Sequence, residues 1–163
     1  RSQRAGETML DAVLWDRATA QGKQVAALES AKSQADLLDE LKESDQIILL
    51  AETLRQRRRE RARKEDSVAQ LRALYLGGDE QTLWEFFEKT MSDMGEHKEL
   101  AARLIKRVVT DRNRSMAATI AGRLAAAPGK AHFFAVGAAH CVGPASIPLE
   151  LEAKGYRVTR IHQ

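Results

Sequence analysis

Apolar and polar positions recur along most of this chain with a period near 3.6, so helices dominate the expected elements. Residues 7 to 21, ETMLDAVLWDRATAQ, set Met9, Leu10, Val13, Leu14 and Ala18 on one face, and Gly22 follows where a helix C-terminal cap belongs. KQVAALES then reads as a short strand over 24 to 28 that delivers Glu29 at its end. From Ser33 a long polar tract of helical spacing runs to about Leu76. Its apolar stripe thins between Arg55 and Lys64, which predicts two helices or one that bends. Gly77 and Gly78 end the tract, and Asp79 is placed to cap the next helix, EQTLWEFFEKTM. Between Gly95 and Ala127, a turn of 100° per residue puts Ile105, Val109, Met116, Ile120 and Leu124 on one stripe. Asn113 falls inside that stripe and Arg112 at its margin, whereas Arg114 points away. Polar groups on a buried face need partners, since leaving one unpaired costs roughly 1 to 3 kcal/mol.

The pattern changes near the end of the chain. His132 to Val136 is dense and apolar, as in a strand covered on both faces. Ser146 can cap a short helix running to Lys154, with Pro148 in its first turn and Gly155 closing it. YRVTRI, from Tyr156, alternates like a half-buried strand. Strand, helix, strand implies two parallel strands joined by a right-handed crossover. The expected fold class is therefore α/β: a helix-rich chain with a small, partly parallel sheet and a helical insertion. The expected organisation is one domain over residues 1–163, with a helical subdomain at about 33–127 and an α/β layer from 1–32 and 128–163.

Composition narrows this picture. At 163 residues and 44% apolar content the chain is long enough for one packed core and too short for two comfortable domains. No apolar stretch has the length of a transmembrane span, and nothing resembles a signal peptide. The chain begins RSQRAGETML, without an initiator methionine, as expected of a piece of a longer or processed protein. A net charge of +3 is too small to imply nucleic acid, so no specific nucleic-acid partner is expected. The single Cys141 excludes an internal disulfide. The run RQRRRERARK, Arg55 to Lys64, carries seven basic residues against one glutamate but no aromatic residue for base stacking. It reads as a solvated helix face with internal ion pairs, the alternative being a patch for phosphate or an anionic surface.

Candidate chemistry concentrates at two strand ends. In a parallel sheet, ligands sit beyond the carboxyl ends of the strands. Glu29 and His140 occupy such ends, and together they suit a metal site or an acid/base pair. Gly137, Ala138 and Ala139 would let a ligand approach the backbone closely. Each residue also has a plainer reading: His140 as a hydrogen-bonded structural histidine, Glu29 as a helix cap, Cys141 as a small buried residue. His97, His132 and His162 have no acidic or cysteine partner at ligand spacing and read as structural or solvated. Trp84, Phe86 and Phe87 read as core packing.

Four segments, taken in order, resemble the TraB/GumN family, which includes the Tiki-type metalloproteases. They are GETMLDAVLWDRATAQGKQVAALES, LYLGGDEQTLWEFF, DRNRSMAATI and FFAVGAAHCVGPASIPLELEAKGYRV. The last, with its G-x-x-H followed by G-P and KGY, is the most specific. The resemblance implies the C-terminal portion of such a domain and a metal-dependent, peptidase-like hydrolase. By position, His140 and Glu29 would be ligands of a divalent metal ion, and Glu29, Arg112 and Asn113 catalytic. Gly137 would belong to the ligand-binding motif, and the substrate would be a peptide or small molecule. An alternative is a non-enzymatic module that sequesters a peptide or a haem-like ligand. The resemblance leans towards an extracytoplasmic compartment, periplasmic or membrane-associated, and leaves a homo-oligomer open. Family members carry an earlier G-x-x-H upstream of the helix with which this chain starts. No second G-x-x-H is read in this sequence, so the chain is expected to hold half of the site and to be incomplete without an upstream segment.

Overall fold

The computed structural model describes residues 8–161, so His162 lies outside the described residues. Among the described residues eight α-helices follow one another: α1 (Leu10–Ala20), α2 (Ala31–Asp39), α3 (Glu43–Arg63), α4 (Ser67–Gly77), α5 (Glu80–Ser92), α6 (Lys98–Ile105), α7 (Asp111–Ala126) and α8 (Ile147–Glu152). A π-helical turn, Lys106–Thr110, joins α6 to α7 without a break, and a 3₁₀ turn spans Ala138–His140. Gly22 closes α1, where its N–H and that of Lys23 bond back to Thr19 and Ala18.

The polar tract after Ser33 breaks twice rather than once. Helix α3 runs unbroken through the arginine run, helped by ion pairs from Arg55 to the buried Glu52 and from Arg57 to Glu60. It stops at Lys64, which adopts the left-handed conformation at φ 56°. Asp66 and Asp79 cap α4 and α5 by accepting the backbone N–H groups of Ala69 and Thr82.

The expected α/β class is not what forms. No strand occurs among the described residues, and the three strand-like segments make no ladder with one another. An apolar run specifies which side chains are buried, but a sheet also needs a neighbouring backbone to accept its N–H groups and supply its carbonyls. Here Arg123 takes up the carbonyls of Ala26 and Ala27 from its side chain. The run His132 to Val136 is covered on one face only: Phe134 and Val136 face inward while Phe133 is 80% exposed. Tyr156 and Val158 turn inward in the last segment, and the Tyr156 hydroxyl donates to the Ala121 carbonyl instead of entering a ladder. These segments lie as single passes against helices.

Two apolar clusters result. Met94, Leu100, Ala101 and Leu104 pack with Leu41, Ile48 and Leu49. Met116, Ala117, Ile120 and Ile147 pack with Leu28, Leu124, Phe134, Val136 and Leu151. Helices α6 and α7, continuous through the π turn, supply residues to both clusters. The expected stripe is thus buried at Val109, Met116 and Ile120, and the polar residues Arg112 and Asn113 sit between the two clusters. A π turn widens the helix locally and commonly marks functional sites.

Candidate functional site

Helix α7 organises the site. Asn113 lies on its buried stripe and has no exposed surface. Its Nδ2 donates to the Ala145 carbonyl at 2.7 Å, in the loop before α8. That bond orients the amide and leaves Oδ1 facing His140, whose Nδ1 is 2.6 Å away. An amide oxygen only accepts, so Nδ1 carries the proton and the neutral ring keeps its lone pair on Nε2. Nε2 makes no hydrogen bond among the described residues.

Glu29 comes from the segment before α2. Ser30, not Glu29, caps that helix by accepting the Ser33 N–H. The Glu29 carboxylate is free to turn to Arg112, whose Nε donates to the two oxygens at 2.9 and 3.2 Å and whose Nη2 donates to the second of them at 2.7 Å. Arg112 Nη1 also donates to the Val108 carbonyl within the π turn. The guanidinium holds the Glu29 carboxyl below its ordinary range against the opposing effect of burial. Arg112 is raised in turn by its bond to Glu29. For His140, burial and then the Arg112 charge push the pKa below its usual 6.5, and Glu29 opposes them. The imidazole is therefore neutral at neutral pH.

The structure brings Glu29, Arg112, Asn113 and His140 into one polar centre. Gly137 starts the 3₁₀ turn that presents His140, accepting its N–H at 2.9 Å. A side-chain carbon at Gly137 would meet His140 Cδ2 at 3.8 Å, an ordinary contact, so glycine leaves that side of the ring uncovered. Cys141 presents surface to solvent, yet its sulfur is shielded enough that desolvation, followed by the Glu80 charge, pushes the thiol up. A thiol so placed is a poor nucleophile. The spelling G-x-x-H occurs a second time, at Gly129 to His132, and sequence reasoning passed over it. His132 is engaged locally, with Nε2 at 3.4 Å from the Ala127 carbonyl and its ring stacked on Phe134. Sequence reasoning also missed Arg123, whose bonds to the Ala26 and Ala27 carbonyls hold the segment that carries Glu29.

Among the described residues no three His, Cys, Asp or Glu side chains are placed to hold a metal ion. Both Glu29 oxygens accept from Arg112, and His140 Nε2 has no hydrogen-bond partner among the described residues. Protein metal sites take three or four such ligands. These residues do not fit a metal by themselves. No helix among the described residues is long and apolar enough to cross a membrane.

A family model described as the TraB/PrgY/gumN family matches residues 1–160, so the likeness covers essentially the whole chain rather than its C-terminal signature alone. Metalloprotease TIKI2 of Danio rerio is 29% identical over 170 residues, covering 94% of this chain and 32% of that protein. Metalloprotease TIKI homolog of Amphimedon queenslandica is 33% identical over 72 residues, 44% of this chain and 14% of that protein. The chain thus spans a third or less of the length of these relatives. No solved structure matches it.

Proposed function

We propose that this chain, which belongs to the TraB/PrgY/gumN family, carries the imidazole side of a peptidase-like hydrolytic site centred on His140. The observation that carries the reading is the relay from Ala145 through Asn113 to His140, which fixes the tautomer and leaves the Nε2 lone pair uncommitted. In this reading Nε2 accepts a proton from a water attacking a peptide carbonyl and returns it to the amine nitrogen as the C–N bond breaks, while Nδ1 keeps its bond to Asn113. The lowered pKa keeps the ring in the form that can accept that proton. Arg112, close enough to act on the His140 charge, favours negative charge growing on the carbonyl oxygen. Glu29 positions Arg112, holding the guanidinium through hydrogen bonds to both of its oxygens.

A divalent metal ion is the finer form of the proposal, supported by the names of the relatives. His140 Nε2 is the donor this chain would offer, and the other ligands would lie beyond the described residues. Metal analysis of the full-length protein beside His140→Ala tests that form. Loss of bound metal in the variant supports the ligand role, and equal metal content removes it. The Glu29–Arg112 pair equally suits a module that binds a peptide or haem-like ligand without turnover. Peptide binding that persists in Glu29→Gln, with no cleavage by the wild-type protein, would favour that second reading.

A further inference from the structure

Trp84 lies on α5, outside the polar centre, and its ring is tilted against Phe87 at 5.7 Å between centroids. Its indole also presses on Gly143, in the loop after His140. A Cβ built on Gly143 would fall 2.5 Å from Cε3 and 2.7 Å from Cε2, inside any real contact distance. Gly143 also has φ +85°, a conformation that L side chains rarely adopt. Only Pro144, whose ring fixes its own φ, separates Gly143 from Ala145. The Ala145 carbonyl orients the Asn113 amide, and that amide orients His140. The rest of the loop gives little room for slack, since Val142 and Ser146 are buried and the Ser146 N–H bonds back to Gly143. Helix α5 is itself tied down at its start, where Glu80 pairs with Arg160, which also donates to the Gly78 carbonyl.

We propose that Trp84 is a positioning residue for His140: its indole, seated on Gly143, fixes the Gly143–Pro144–Ala145 turn whose carbonyl sets the Asn113 amide and hence the imidazole tautomer. The proposal deepens the hydrolytic reading and rests on it for its functional meaning, but its physical content is a hydrogen-bond relay that can be observed without substrate. Removing the indole frees the turn, and the Asn113 amide then loses a fixed acceptor. Phenylalanine keeps a flat ring at the same depth and should retain much of the contact. From the sequence alone Trp84 reads as core packing. The structure adds that what it packs against is glycine backbone one proline away from the site.

The test is NMR of the full-length protein labelled with ¹⁵N at histidine and asparagine. The wild type should show a low-field His140 Nδ1 proton and a displaced pair of Asn113 side-chain amide resonances. In Trp84→Ala the Nδ1 proton should exchange with solvent at least about tenfold faster and the Asn113 pair should move towards free-amide positions. Trp84→Phe should retain both signatures. Leu100→Ala, in the other apolar cluster, lowers stability without touching the loop and should also retain them. If Trp84→Ala does not fold, Trp84→Leu gives the same comparison with part of the apolar volume kept. Unchanged signatures in a folded Trp84→Ala or Trp84→Leu would overturn the proposal, as would equal loss in Leu100→Ala. If the signatures respond as expected but the wild-type protein cleaves no peptide, the positioning role stands and the hydrolytic reading falls. If His140→Ala abolishes cleavage while the Trp84 variants keep the signatures, the reverse holds.

Discussion

Asn113 is the residue on which the site depends, because both ends of one fully buried amide are used. Asn113→Ala should destabilise the protein by roughly 1 to 3 kcal/mol in urea titration, since the Ala145 carbonyl loses its donor. It should also free His140 to change tautomer. Glu29 has a pKa held below its ordinary 4.5 in the folded protein, chiefly by hydrogen bonding to Arg112. Its contribution to stability is present above pH 4.5 and is lost as the pH falls through the lower folded value. The wild type should therefore exceed Glu29→Gln in stability by a constant margin near neutrality, and the two should converge in acid. Denaturation curves at a series of pH values check this, and a margin that persists in acid would contradict it. His140 is a base whose folded pKa lies below 6.5, so the unfolded chain takes up its proton first. Its neutral form should support folding above pH 6.5, with that support declining as the pH falls through the folded value. A His140→Gln variant should show a weaker dependence of stability on pH in this interval.

At the scale of elements, the helix through α6, the π turn and α7 does most of the structural work. Leu104 is 2% exposed in the cluster against α3, and Leu104→Ala should cost about 2 to 5 kcal/mol by chemical denaturation. What the sequence revealed here followed from local rules. Asp79 was recognisable as a cap, and helical phase alone put Asn113 on the buried stripe with Arg112 beside it. His140 stood out because an ionisable ring follows small residues after an apolar run. The expected sheet had a weaker basis. The dense apolar run His132 to Val136 suggested cover on both faces, whereas its burial alternates, and a single extended pass against α7 satisfies that one-sided burial as well as a strand does. Whether a ladder forms depends on a second backbone, and no local pattern encodes that. Arg123, and what Trp84 packs against, escaped notice for a related reason. Each acts on backbone far away in sequence, at Ala26 and Ala27 or at Gly143, and neither contact leaves a periodic signature.

For the whole molecule, two apolar clusters flank a polar centre built from segments spread between Glu29 and Ala145. The site therefore exists only when the chain is folded, with α2, α7 and the loop before α8 held together. The family likeness runs over residues 1–160, while the relatives named metalloproteases are about three times longer or more. The proposed activity accordingly belongs to the full-length protein. The most direct measurement is peptide cleavage by that protein, with and without added divalent metal, read by mass spectrometry beside His140→Ala and Asn113→Ala. Cleavage by the wild type, abolished in His140→Ala and reduced at least about a hundredfold in Asn113→Ala, is the predicted result. Cleavage at the wild-type rate in His140→Ala, or none by the wild type under any metal condition, would contradict it.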